Sequence, residues 1–122
     1  MKFTPREYQQ IAIDWIKQHP RCALFIPMGL GKSASVLAAI DTFPVLIVAP
    51  LRVAQTTWPD EINKWQFPYS YSVIKGTPAE RRVAVEKQAD IYMINYENLP
   101  WLVELMGSKW KFKAVVADEM TK

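Results

Sequence analysis

The sequence contains little cysteine and no long uncharged apolar run. Among its 122 residues there is one cysteine, Cys22, so a disulfide framework within the chain is excluded and a reducing cytosol suits it best. No uncharged apolar run approaches the roughly 18 residues of a membrane span, and the charged residues 1–7 contain no signal-peptide core. We therefore expect no membrane partner and a cytoplasmic protein, or one in the host cytoplasm if the source is a virus.

A large excess of charge of one sign is also missing. The chain has 15 lysines and arginines against 12 aspartates and glutamates, which gives a formal net charge of +3. An excess of positive charge this small is common on solvated surfaces, and charge alone does not predict a nucleic-acid partner. Half of the residues, 50%, are hydrophobic, and a chain of this length can bury one core but not two. We expect a single domain.

Short apolar runs alternate with helical patterns along the chain, without repeats or low-complexity segments. The runs that predict strands are 22–26, 45–49, 71–74, 91–94 and 114–117. Parallel strands need crossover connections of a dozen or more residues, which are usually helices. The pattern therefore predicts an α/β fold, with a parallel sheet of about five strands covered by helices on both faces.

The helices between these runs carry recognisable signals. Across 53–65 the apolar residues have helical spacing and are predicted to be buried together: Ala54, Trp58, Ile62 and Trp65. Pro59 interrupts this stretch, so we expect either a kink or a restart capped by Thr57. Residues 77–80 form a capping box with proline at the first helical position, and Gly107 is predicted to end a helix that begins at Pro100.

A glycine loop, Gly29-Leu30-Gly31-Lys32-Ser33, lies between the first strand and a helix predicted over 32–41. A phosphate chain needs converging backbone N–H groups, glycines that allow close approach, and a helix N-terminus, and this segment offers all three. Lys32 would then reach the β- and γ-phosphates, and Ser33 would bind Mg²⁺. The full P-loop pattern expects glycine or a small residue where this chain has Ile26. The alternative is an ordinary glycine turn with a surface lysine.

An acidic pair, Asp118-Glu119, follows the fifth apolar run directly. Such a pair is most often a solvated loop. Combined with an upstream phosphate loop in a parallel α/β fold, it predicts the second half of a Mg²⁺-nucleotide site. Asp118 would hold the metal, and Glu119 would orient or deprotonate the attacking water.

The segment Pro27-Met28-Gly29-Leu30-Gly31-Lys32-Ser33 resembles motif I of the Swi/Snf-type branch of superfamily 2 helicases. Arg6-Glu7-Tyr8-Gln9 is similar to the motif that precedes it in that family. The resemblance implies that Gln9 reads the adenine edge with help from Arg6, so that ATP is selected over GTP. It also implies that the motif I residues bind ATP and Mg²⁺: Met28, Gly29, Leu30, Gly31, Lys32 and Ser33.

Two further segments resemble motifs that contact nucleic acid in that family. The run 46–51, with its following helix, is similar to motif Ia, and residues 93–97 are similar to motif Ib. Ligands gather at the carboxyl ends of parallel strands, and Arg52 is the natural phosphate partner there. We expect Arg52, Asn95 and Tyr96 to contact the sugar-phosphate backbone of DNA or RNA, although an asparagine and a tyrosine that end a strand are usually ordinary loop residues.

The resemblance therefore implies an N-terminal RecA-like ATP-binding domain, residues 1–122, of a DNA-stimulated ATPase that is a helicase or a double-strand DNA translocase. Relatives carry an arginine finger on a second, C-terminal RecA-like domain, and we expect the 122-residue chain to be nearly inactive without one. Met120-Thr121 replaces the Ala-His that most often follows the acidic pair. One alternative is a non-catalytic binding module with a vestigial P-loop. Another, an unrelated P-loop kinase, is disfavoured by the placement of motif Ia and of the acidic pair Asp118-Glu119, which is similar to motif II of that family.

Overall fold

A computed structural model describes residues 23–27, 37–38, 40 and 43–119. The predictions that fall on residues 1–22 and 28–36 lie outside these ranges, and with them the motif with Arg6 and Gln9, the glycine loop and the beginning of the helix predicted over 32–41. At Ala23–Pro27 and at Glu119 the description concerns the backbone and its pairing.

The described strands form one parallel sheet. They are β1 (Ala23–Pro27), β2 (Val45–Ala49), β3 (Tyr71–Ile74), β4 (Ile91–Asn95) and β5 (Ala114–Glu119), in the order β1-β5-β2-β4-β3. Every pairing is parallel. The predicted α/β class is confirmed, and β2 and β3 have the predicted bounds. The fifth strand continues two residues beyond the predicted run, so that Asp118 and Glu119 belong to the strand and not to a loop.

Three α-helices lie within the described ranges: α1 (Trp58–Lys64), α2 (Pro78–Glu86) and α3 (Leu99–Met106). The predicted capping box begins α2, with the Thr77 hydroxyl accepting from the Glu80 N–H and the Glu80 carboxylate accepting from the Thr77 N–H. Gly107, at φ 48°, ends α3 as predicted. No helix in the described part of the chain is long and apolar enough to span a membrane.

Alternate residues of the buried strands pack into two separate apolar clusters. Leu46 and Val48 of β2 pack with α2 and α3, together with Val85, Leu99, Leu102, Tyr92, Ile94 and Phe112. Val45, Ile47 and Ala49 pack on the other side of the strand, together with Leu37, Ala54, Trp58, Ile62, Met93 and Val116. Continuous apolar strands are expected when both faces of a sheet are covered.

The prediction that Trp65 is buried is wrong. Its side chain is 54% exposed, whereas Ala54, Trp58 and Ile62 are buried as predicted. The reason is that α1 ends at Lys64, and Trp65 lies at the C-cap with φ −94° and ψ 5°. The helix that would have turned the Trp65 ring toward the core therefore ends one residue before it. The Lys64 ammonium lies 5.2 Å from the centroid of the exposed ring.

Candidate functional site

The strands bring their carboxyl ends to one edge of the sheet. In the register of the parallel pair β1 and β5, Ile26 pairs with Asp118, and Pro27 pairs with Glu119. Adjacent strands lie about 4.8 Å apart. The backbone at Pro27, which the glycine loop follows in sequence, is therefore one strand spacing from the acidic pair. This is the edge at which open α/β sheets bind ligands.

Asp118 is a buried carboxylate with an aromatic neighbour as its donor. Asp118 is 6% exposed, and the indole N–H of Trp58 donates to its Oδ2 at 3.0 Å. Its backbone carbonyl accepts a hydrogen bond from the Tyr96 hydroxyl at 2.9 Å. The two donors come from segments that follow β2 and β4, so three segments of the chain meet at this aspartate.

Burial raises the pKa of the Asp118 carboxyl above its ordinary value, and the hydrogen bond from the Trp58 indole opposes that rise. The buried, ionised form is thus costly unless a cation or further donors approach it. A divalent cation offsets the cost directly, because it favours the ionised carboxylate over the neutral acid.

Trp58 lies directly after a helical turn that is wound wider than usual. Residues Val53–Thr57 form a π-helical turn, which the backbone N–H of Trp58 closes by donating to the Val53 carbonyl. Pro59 follows at once and lacks an N–H to donate, a common cause of a local change in helix winding. Of the two predicted outcomes, a kink or a restart capped by Thr57, the cap is absent: Thr57 has helical φ and ψ and makes no side-chain capping bond.

Asn95, at the end of β4, points into a polar network inside the protein. The residue is 5% exposed, and its Oδ1 accepts from the Asn98 amide at 2.8 Å. The Asn98 Oδ1 in turn accepts from Arg81 Nη1 at 3.0 Å, and the Arg81 guanidinium lies 4.6 Å from the Trp101 ring centroid. The network ties the first turns of α2 and α3 to the carboxyl end of β4.

The residues predicted to contact nucleic acid therefore separate into two groups. Arg52 is exposed and lies three residues beyond the end of β2, at the carboxyl edge. Asn95 and Tyr96 are buried, and their side chains bond within the protein. Arg52 alone of the three presents its side chain on the surface, so phosphate contacts by Asn95 and Tyr96 stay a prediction that the geometry does not favour.

Sequence reasoning missed two features of this edge. The helical spacing predicts Trp58 as a packing residue and does not indicate that its indole N–H donates to Asp118. Arg81 and Asn98 were not predicted to lie in a network with Asn95. Helical spacing correctly signalled the burial of Trp58, but no local pattern points to a partner 60 residues away.

Within the described ranges, no three His, Cys, Asp or Glu side chains group as a metal site. Mg²⁺ does not require such a group, because it keeps several waters and is usually bound by one or two carboxylates together with substrate phosphates. Asp118 is an oxygen donor of the kind that Mg²⁺ prefers, and it lies at the ligand-binding edge. The residues present therefore fit a metal that arrives with a nucleotide.

Two known proteins are similar to nearly the whole chain. It is 41% identical over 132 residues to protein p41 of Acyrthosiphon pisum secondary endosymbiont phage 1, across 98% of this chain and 28% of that protein. It is 27% identical over 137 residues to the chromatin remodeling factor mit1 of Schizosaccharomyces pombe, across 98% of this chain and 9% of that protein. No family model matches the chain. The chain thus spans less than a third of either relative, and its distant similarity to a chromatin remodeling factor agrees in part with the resemblance of its motifs.

Proposed function

We propose that this chain is the ATP-binding part of a DNA-stimulated ATPase of the Swi/Snf type, with a RecA-like P-loop fold and helices on both faces of the sheet. The observation that carries the proposal is the registry of β1 with β5, which pairs Ile26 with Asp118 and Pro27 with Glu119. The strand that leads into the glycine loop thus ends beside the acidic pair. A Mg²⁺-nucleotide site needs these two parts side by side.

In this proposal each part of the chain has a distinct task. Lys32 places a positive charge against the β- and γ-phosphates, and Ser33 and Asp118 hold Mg²⁺, which neutralises phosphate charge when bound. Glu119 orients or deprotonates the attacking water. Gln9 and Arg6 select adenine.

The proposed nucleic-acid contact is electrostatic and independent of base sequence. Arg52 is exposed at the carboxyl edge, where a guanidinium can bind a backbone phosphate. The similarity to a chromatin remodeling factor supports DNA as the polymer. We further propose that turnover needs a second RecA-like domain supplying an arginine finger, which is worth about 10³- to 10⁵-fold in related phosphoryl transfer.

The proposal is tested by measuring ATP binding to the 122-residue chain in the presence of Mg²⁺. Lys32→Ala should weaken binding by roughly tenfold or more, because the polyanion loses a charge-assisted partner. Lys113→Ala removes an exposed lysine after α3 and serves as the matched control. Equal affinities in the unchanged protein and Lys32→Ala would refute the P-loop assignment. Nucleic-acid binding without any ATP binding would favour the non-catalytic module instead.

A further inference from the structure

We propose that Trp58 is a positioning residue that holds Asp118 for the metal-dependent binding of ATP, an inference that rests on the proposed function. Trp58 is 0% exposed, and its indole N–H donates to Asp118 Oδ2 at 3.0 Å. The neighbours that orient a metal-ligating carboxylate matter to its affinity nearly as much as the ligands themselves.

The chemistry of the pair suits this role. Indole nitrogen is a donor only, so it can fix a carboxylate without competing with it for a cation. One N–H occupies one of roughly four lone-pair sites on an ionised carboxylate, which keeps the capacity to bind a metal as well. A hydrogen bond to the ionised form also opposes the cost of burying it.

The indole itself is held rigidly, as a positioning group must be. Trp58 shares its helical face with Ala54 and Ile62, and it belongs to the apolar cluster that contains Ile47 and Met93 of the sheet. Packing on this scale locks the ring, so its N–H has one direction in which to donate. A π-helical turn lies directly before it, and the Trp58 backbone N–H closes that turn by donating to the Val53 carbonyl.

The alternative is that Trp58 acts only by filling the core. The two roles differ in their dependence on metal. Loss of packing weakens nucleotide binding with or without Mg²⁺, whereas loss of positioning removes only the gain in affinity that Mg²⁺ supplies.

The experiment compares ATP affinity with Mg²⁺ and with EDTA for the unchanged protein, Trp58→Phe and Trp65→Phe. Trp65→Phe is the matched control, since Trp65 lies at the end of the same helix and is 54% exposed. Trp58→Phe should lower the Mg²⁺-dependent gain by about 10- to 100-fold and leave the affinity in EDTA unchanged. The control should change neither. An unchanged Mg²⁺-dependent gain in Trp58→Phe, or an equal loss in both conditions, overturns the inference.

A second measurement needs no variant at position 58. The chain has five tryptophans, and replacing the other four one at a time with phenylalanine assigns the indole N–H resonance of Trp58 by elimination. That resonance should shift further with ATP and Mg²⁺ than with ATP in EDTA. A resonance indifferent to the metal overturns the inference. If the unchanged protein binds ATP but Trp58 proves indifferent, this inference alone fails; if it does not bind ATP, the proposed function fails as well.

Discussion

The Tyr96 hydroxyl donates a 2.9 Å hydrogen bond to the backbone carbonyl of Asp118. Tyr96 begins the 3₁₀ turn after β4, and Asp118 lies near the end of β5. Since β2 separates these two strands in the sheet, the bond spans the sheet edge over its central strand. It fixes the two strand ends between which the candidate site lies.

Replacing Tyr96 with phenylalanine should lower the free energy of unfolding by about 1 to 3 kcal/mol, because a buried carbonyl loses its donor. Tyr71→Phe is the matched control. Its hydroxyl accepts from the Asn63 amide at 3.3 Å in an exposed position, so we expect a loss below about 0.5 kcal/mol. Urea denaturation of both variants measures the difference. Equal losses would contradict the role given to the Tyr96 hydroxyl.

The capping box of α2 predicts a dependence of stability on pH. The pKa of Glu80 lies below its ordinary value, chiefly because its carboxylate accepts from the Thr77 backbone N–H, with further help from the Thr77 hydroxyl and the charge of Lys75. A lowered folded-state pKa means that the stabilisation is fully present above the unfolded pKa and is lost as the pH falls through the folded pKa.

Glu80→Gln keeps an acceptor oxygen but removes the charge. We therefore expect the variant to be less stable than the unchanged protein near neutral pH, and the difference to narrow in acid below about pH 4. Glu86→Gln, on the same helix, controls for the general loss of an acidic group. Urea denaturation midpoints of the unchanged protein and the variant, measured from neutral to acid pH, provide the test. A difference in stability that stays constant down to acid pH would contradict the lowered pKa of Glu80.

Local chemistry explains which parts of the fold the sequence predicts. Thr77 and Gly107 mark helix ends through interactions within a few residues, and both predictions are confirmed. The continuous apolar run of β2 identifies that strand, because a strand buried on both faces has no polar positions. These signals depend little on the rest of the molecule.

Tertiary contacts decide the parts that sequence patterns miss. The acidic pair reads as a loop, yet Asp118 and Glu119 pair with β1 and extend β5. Asn95 is predicted to contact nucleic acid or to lie in an ordinary loop, yet it is buried and its Oδ1 accepts from the Asn98 amide. Trp65 reads as buried, yet the helix ends before it. These outcomes depend on strand pairing, on a side-chain hydrogen bond and on the end of a helix. None of these features produces a periodic pattern of hydrophobic residues in the sequence.

The last prediction concerns the nucleic-acid contact and rests on the proposed function. Arg52 is exposed at the carboxyl edge of the sheet, where a backbone phosphate can approach it. A phosphate contact releases condensed counterions, so log affinity falls with log salt by about 0.9 for each contact with duplex DNA. Arg52→Ala should therefore reduce that slope by about one unit and weaken binding equally for unrelated base sequences.

Lys64→Ala is the matched control, because Lys64 is an exposed cation in the last turn of α1, roughly 18 Å along the helix from Arg52. Its removal lowers the net charge by the same amount as Arg52→Ala but takes no cation from the carboxyl edge. Affinities for a short duplex at several salt concentrations, measured for the unchanged protein and both variants, separate a local contact from net charge. A slope that changes equally in both variants would mean that only net charge matters. A slope that Arg52→Ala leaves unchanged would remove Arg52 from the proposed contact and require the duplex to approach another face of the sheet.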